Sequence, residues 1–199
     1  MTATQLSRFP RLPAGAGGDP ALEANKAVVR RLVEEVWTGG DMDLLPELVA
    51  EDAIDHIAPP EAQGLDGARR HIETLRAGFS DMRLDLIEVV AEGDLVVCEL
   101  LWSGYHDGDV FGLPPTYKWA HCRQSCTYRI ADGKIAELWQ TIDMLGMLIE
   151  MGIAPGPGMS PPAILWHNIS SFFKIGLTQV RKPPRKPAPP AGYPFDIFD

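Results

Sequence analysis

The apolar positions of this 199-residue chain change period partway along, and the change divides it. In "ALEANKAVVRRLVEEVWTGG", Val29, Leu32, Val33 and Val36 recur at helical spacing, while Arg30, Arg31, Glu34 and Glu35 take the other face. Gly39-Gly40 stops this helix. "DMDLLPELVA" predicts a short second helix, with Asp41 placed to cap it and Pro46 tolerated near its first turn. "EDAIDHIAPP" reads as a short strand ended by two prolines. A third helix fits "LDGARRHIETLRAGF", with Ala68, Ile72, Leu75 and Phe79 on one face and His71 read as solvated.

The period then becomes two. Strands fit "MRLDLIEVVAEG", "DLVVCELLWSGYH", "YKWAHCRQSCTYRIADG" and "KIAELWQTID". "AEGD" and "ADGK" carry hairpin turns with Gly at the demanding position. "DGDVFGLPPT" is a longer loop, and "DMLGMLIEMG" predicts a last helix ending on Gly152. Helices first and an antiparallel meander afterwards give an α+β class. Residues 1–20 read as a flexible arm and 21–152 as the patterned domain. Residues 153–199 form a Pro-rich extension holding ten of the 18 prolines.

Composition narrows the function classes. Hydrophobic residues make up 45% of the chain, enough for one well-filled domain and too few for two. A net charge of -9 disfavours a nucleic-acid partner. The extension alone is +3, from Lys174, Arg181, Lys182, Arg185 and Lys186 against Asp196 and Asp199. Cys98, Cys122 and Cys126 show no framework spacing and read as reduced thiols in a cytoplasmic protein. The first residues lack the apolar core of a signal peptide, and no apolar run is long enough to span a bilayer.

Alternation sorts the strand residues into faces. In the second long strand Val96, Cys98, Leu100 and Trp102 form the more apolar parity, assigned to the concave side. For the next two strands the pattern alone leaves the faces open. If Cys122, Gln124, Cys126 and Tyr128 turn inward with Leu138 and Gln140, then Glu137, Trp139 and Thr141 lie outside. An outer face bearing Trp suits a sheet-to-sheet homodimer.

Residues 24–152 resemble the SnoaL-like polyketide (ester) cyclases of the nuclear transport factor 2-like superfamily. The resemblance rests on "NKAVVRRLVEEVWTGGDMDLLPELVAEDAIDH", "GYHDGDVFGLPPT", "IADGKIAELWQTID" and "DMLGMLIEMG". It implies a cystatin-like cone: a curved antiparallel sheet wrapped by helices around a closed pocket, dimeric through the sheet. It implies cyclisation of a hydrophobic polyketide-like molecule, without cofactor or metal, by an aspartate on the final strand acting as general acid/base. Here that position is Gln140, which cannot take a proton near neutral pH. The resemblance also places pocket polar positions on Asp55 and Gln124, and a family histidine on Cys126.

The proton-transfer group must then sit elsewhere, and Asp55 and His56 are the first candidates. The bland reading is a strand-end pair fixing local backbone. Asp143 is a candidate acid at the pocket rim or, more simply, the N-cap of the last helix. Gln140, Gln124, Trp102, Cys126 and His106 are candidate substrate contacts. For Trp102 and Cys126 core packing competes with that role, and for His106 a loop-anchoring hydrogen bond does. The expected function is a cofactor-free cyclase or isomerase. The alternatives are a hydrolase or dehydratase using the same pocket, and a non-catalytic small-molecule binder. "AILWHNISSFFKIGLTQVRKPPRK" is expected to pack on its own domain or on a partner subunit. Contact with a membrane surface is the less favoured reading.

Overall fold

The computed structural model describes residues 19–180 and 186–190. Most of the expected N-terminal arm, and Arg181, Lys182, Arg185, Asp196 and Asp199, lie outside them. Helix α1 (Pro20–Arg31) opens with Pro20 in its first turn and Asp19 accepting from the Ala21 N–H at 2.9 Å. It continues into a π-helical segment, Leu32–Thr38, that spacing alone did not predict. The arc Val29, Leu32, Val33 and Val36 is buried, as its spacing requires. The second helix, α2 (Leu45–Leu48), is one turn long and uncapped by any side chain. Asp41 does not cap it: its carboxylate accepts from Asp43 N–H in the preceding turn.

Strand β1 (Val49–Asp55) starts earlier than expected, and α3 (Gly64–Gly78) follows it. Phe79 is not the end of that helix; it begins β2 (Phe79–Glu92). Strands β3 (Leu95–His106), β4 (Lys118–Ala131) and β5 (Lys134–Ile142) complete one curved sheet in the order β1-β5-β4-β3-β2. Strands β2 to β5 form the expected antiparallel meander; β1 joins the far edge of β5 in parallel. Asp132 and Gly133 both have positive φ, as a two-residue turn of the mirror-image type demands. The opposite edge, β2, is covered by the first helix. Thr38 Oγ1 accepts from Leu84 N–H at 3.0 Å and donates to Leu84 C=O at 3.1 Å, pairing part of an otherwise open edge.

The core fills the concave side. Val96, Cys98, Leu100 and Trp102 of β3 are buried there, together with Cys122, Cys126 and Tyr128 of β4. The ladders pair Cys98 with Cys126 and Cys126 with Gln140, which resolves the two faces left open by pattern. The loop "DGDVFGLPPT" folds back onto the end of α3, where Asp107 and Gly108 N–H groups both donate to Gly78 C=O. Helix α4 (Met144–Glu150) follows β5, and the extension contains a 20-residue helix, α5 (Pro161–Val180). Ser171 of α5 donates to Gly152 C=O at 2.9 Å. No described helix is long and apolar enough to cross a membrane.

Asp143 is the N-cap of α4: its carboxylate accepts from Gly146 N–H at 2.9 Å. Asp143→Ala should cost about 1 kcal/mol of stability, the usual loss of a capping acceptor. Chemical denaturation measures it, as a lower midpoint at constant slope.

Candidate active site

Parallel pairing with β5 brings Asp55, the last residue of β1, opposite Leu138. Leu138 packs on the core, so Asp55 shares the concave face with it and with Gln140 two residues on. Gln140 Nε2 donates to Asp55 Oδ2 at 3.3 Å, and Ile57 N–H donates to Oδ1 at 3.0 Å. Gln63 fixes the strand end from the other side. Its Oε1 accepts from Asp55 N–H, and its Nε2 donates to the Asp55 and Ala58 carbonyls, each at 2.8 Å. Gln63 is a positioning residue that sequence reading passed over. Its one visible signal is its place between the two prolines and α3.

His71 of α3 also feels the Asp55 charge. It lies at the margin of the apolar arc of α3, edge-on to Trp37 at 5.9 Å between ring centroids and stacked on Phe111 at 5.8 Å. Its ring keeps solvent access. The surrounding protein nevertheless desolvates it and lowers its pKa, against the opposing pull of the Asp55 charge. His71 is therefore solvent-exposed, as expected, and is also a mainly neutral imidazole within electrostatic range of Asp55. The signal was in the sequence, because His71 is three residues after Ala68 and four before Leu75.

The Asp55 charge also reaches Cys126 and Tyr128 deeper in the wall. Burial first, and then its thiol neighbours, push the Tyr128 phenol far above its usual range. The thiols of Cys98 and Cys126 meet across the β3–β4 ladder; that hydrogen bond, with burial, raises Cys98 far beyond the thiolate range. Burial pushes Cys122 up to about 12. At 2% exposure Cys126 is packed wall. Gln124 is half-buried on the same face, with its amide 3.8 Å from Cys122 Sγ. Trp102 is buried edge-on against Phe79 at 4.6 Å and shapes the core.

Two candidates lie elsewhere. His56 is on the outer face, 2.8 Å from Glu137 Oε2 and stacked flat on Trp139 with centroids 4.4 Å apart. Glu137 also pairs with Arg129 at 2.8 Å, and Arg129 lies over the same indole. Adjacent strand residues point oppositely, so Asp55 and His56 separate. His106 has no exposed surface; Thr116 N–H donates to its Nδ1 at 3.1 Å, and Thr116 Oγ1 lies 3.0 Å from the same nitrogen. It anchors the β3–β4 loop. Among the described residues no three His, Cys, Asp or Glu side chains converge as metal ligands.

Anchoring by a neutral histidine makes stability pH-dependent. Desolvation lowers the His106 pKa, and protonation would destroy the acceptor that Thr116 N–H uses. The folded state then binds fewer protons than the unfolded one. Stability is complete above the unfolded value of about 6.5 and is lost as pH falls below it. The thermal midpoint should fall between pH 7 and pH 5. The drop should be smaller in His106→Asn, whose side-chain oxygen can still accept from Thr116. His71 contributes with the same sign, so His106→Asn should leave a residual slope.

Comparison with known proteins follows the same architecture. The family model described as SnoaL-like polyketide cyclase matches residues 27–151. The aklanonic acid methyl ester cyclase DnrD of Streptomyces peucetius is 31% identical over 130 residues, covering 63% of this chain and 88% of that protein. A protein described as a SnoaL-like polyketide cyclase from Jannaschia sp. CCS1 superposes with a TM-score of 0.63 at 26% identity, over 71% of this chain and all of that one. TsrD from Streptomyces laurentii shares the fold with a TM-score of 0.62 at 24% identity, over 68% of this chain and 98% of that one.

Proposed function

The chain belongs to the SnoaL-like polyketide cyclase family, and from that membership we propose that it is a cofactor-free cyclase or isomerase of a hydrophobic polyketide-like molecule, with Asp55 as general acid/base. The observation that carries this reading is the contact between Asp55 and Gln140. Gln140 occupies the position of the family's aspartate and has no proton to exchange. The carboxylate it has lost is supplied one strand over, from β1, hydrogen-bonded to that same glutamine.

The chemistry is the one the family resemblance implies, with Asp55 in the acid/base role. Asp55 removes a proton from a carbon activated by flanking carbonyls, and the resulting enolate attacks a second carbonyl of the same substrate. A carbon–carbon bond forms, and the new alkoxide takes the proton back from the Asp55 carboxylic acid. Nothing is oxidised or reduced, and the product is an isomer of the substrate. The Gln140 amide and the Ile57 N–H hold the carboxylate in one orientation, so little reorganisation precedes transfer. The amide of Gln124, half-buried on the same face, supplies a further polar contact to the substrate.

DnrD acts on aklanonic acid methyl ester by its name, and that compound is the first substrate to try. Incubation with purified protein should yield an isomer of unchanged mass and altered chromatographic retention. Saturable binding without turnover, across this ester and related polyketide esters, would instead support a non-catalytic binder, the reading that Gln140 otherwise favours.

A further inference from the structure

The outer face carries a second built site. Tyr105 and Trp119, paired across the β3–β4 ladder, form a small apolar cluster separate from the main core, with Tyr117 against it. The ammonium of Lys186 lies over both rings, 5.0 Å from the Tyr105 centroid and 4.9 Å from that of Trp119. It also donates to Ser80 Oγ at 2.8 Å and pairs with the Asp81 carboxylate. Trp119 Nε1 donates to the carbonyl of the next residue, Pro187, at 3.1 Å. Pro187, Ala188 and Pro189 continue along the same groove.

The receptor side is held in this shape by backbone outside the ordinary strand. Asp81 has φ +50° and lies where the β2–β3 register slips, a bulge that re-aims its carboxylate. Tyr117 has φ +54°, uncommon for an aromatic residue. Ser80 is fixed by Asp107, which accepts from its N–H at 3.0 Å and from its hydroxyl at 2.7 Å. A left-handed aspartate and a carboxylate-locked serine meet on one lysine, and a left-handed tyrosine backs its aromatic pair. Such local cost persists where the surroundings impose it, typically around a ligand.

We propose that Tyr105, Trp119, Ser80 and Asp81 form a recognition site for a lysine followed by proline in a Pro-rich segment. Its resident ligand is residues 186–190 of the same chain. The aromatic pair and carboxylate select a cation. The indole N–H reads the backbone carbonyl after it, and Pro-rich sequence loses little conformational entropy on docking. The strap ties residues 186–190 of the extension to the sheet. It occupies this end of the outer face against a second copy.

The test uses full-length protein and the heptapeptide of residues 184–190, PRKPAPP. In the double variant Lys186→Ala/Pro187→Ala the strap no longer fills the cage. The peptide should then bind at least about tenfold more tightly than to the wild-type chain, as read by calorimetry and tryptophan emission. Replacing the peptide lysine with alanine, or adding Asp81→Asn to the double variant, should weaken binding by about tenfold. Asparagine tolerates the positive φ, so the bulge survives. In the wild-type chain, trypsin cleavage after Arg185 should be slow, faster in Asp81→Asn, and independent of protein concentration. Failure of the peptide to bind the double variant, or equal binding to both chains, overturns the proposal. So does indifference to the peptide lysine. Protection that disappears on dilution would assign the strap to a neighbouring copy and overturn the intramolecular site.

Discussion

Asp55→Asn is expected to reduce turnover of the ester substrate by about 10²–10⁴-fold, the usual contribution of a positioned general acid/base. Asparagine has the same shape and keeps an acceptor for the Ile57 N–H, so the strand end should hold and KM should change far less than kcat. Gln140→Ala should be milder, because it removes a group that orients the carboxylate rather than the carboxylate itself. Gln140→Asp is the more diagnostic variant. It would set a second carboxylate beside the first, and two like charges at that distance hold one proton more tightly. The acidic limb of the pH–rate profile should move to higher pH in Gln140→Asp and disappear with activity in Asp55→Asn. An Asp55→Asn enzyme with wild-type kcat would falsify the assignment.

A large loss of stability is expected on substituting Gly108 in the "GYHDG" stretch. A Cβ there would sit 2.2 Å from Ala77 C=O and 2.9 Å from Gly78 Cα, both backbone atoms that no rotamer change can move. Gly108→Ala should therefore cost about 3 kcal/mol, at the upper end of overpacking penalties, because the loop must lift off α3. For a chain of this size that corresponds to a fall of roughly 6–12 °C in the thermal midpoint. The lifted loop would also lose the paired donation to Gly78 C=O, so chymotrypsin should cut the β3–β4 loop sooner, after Phe111 or Tyr117. A midpoint within about 2 °C of wild type, the shift of about 1 kcal/mol or less in a chain of this size, would show that the loop yields at little cost.

Gly108 also shows what a motif can say. The residues that made "GYHDGDVFGLPPT" specific as a resemblance turn out to close a loop. His106 accepts from Thr116, Asp107 holds Ser80, and Gly108 permits close approach to α3. The motif marked the fold correctly, and its histidine is an anchor. The outer-face histidine, His56, is a candidate by the usual role of an imidazole near physiological pH. In a strand adjacency means opposite faces, and the observed partners of His56 are Glu137 and Trp139. His71 is exposed, as a polar residue on a helix is expected to be, and its helical position also sets its ring against Trp37 and Phe111. The dimer expected through the sheet remains an expectation for the Trp139 side of the outer face. The Tyr105–Trp119 end is taken by the chain's own strap.

By itself the sequence determined the element order, the inward parity of β3 and the hairpins, and its family resemblance marked Gln140 as a lost acid. Periodicity, turn chemistry and residue type are local properties, and a proton cannot be carried by an amide in any fold. Only the tertiary structure decided that β1 lies parallel to β5, because strand pairing between distant segments depends on how the whole sheet curves and covers its edges. That one pairing sets Asp55 against Gln140. It turns His56 to the other face and moves the candidate acid from the final strand to the first. The same dependence on distant contacts hid the Lys186 site, whose parts come from β2, β3, β4 and a segment 67 positions beyond Trp119.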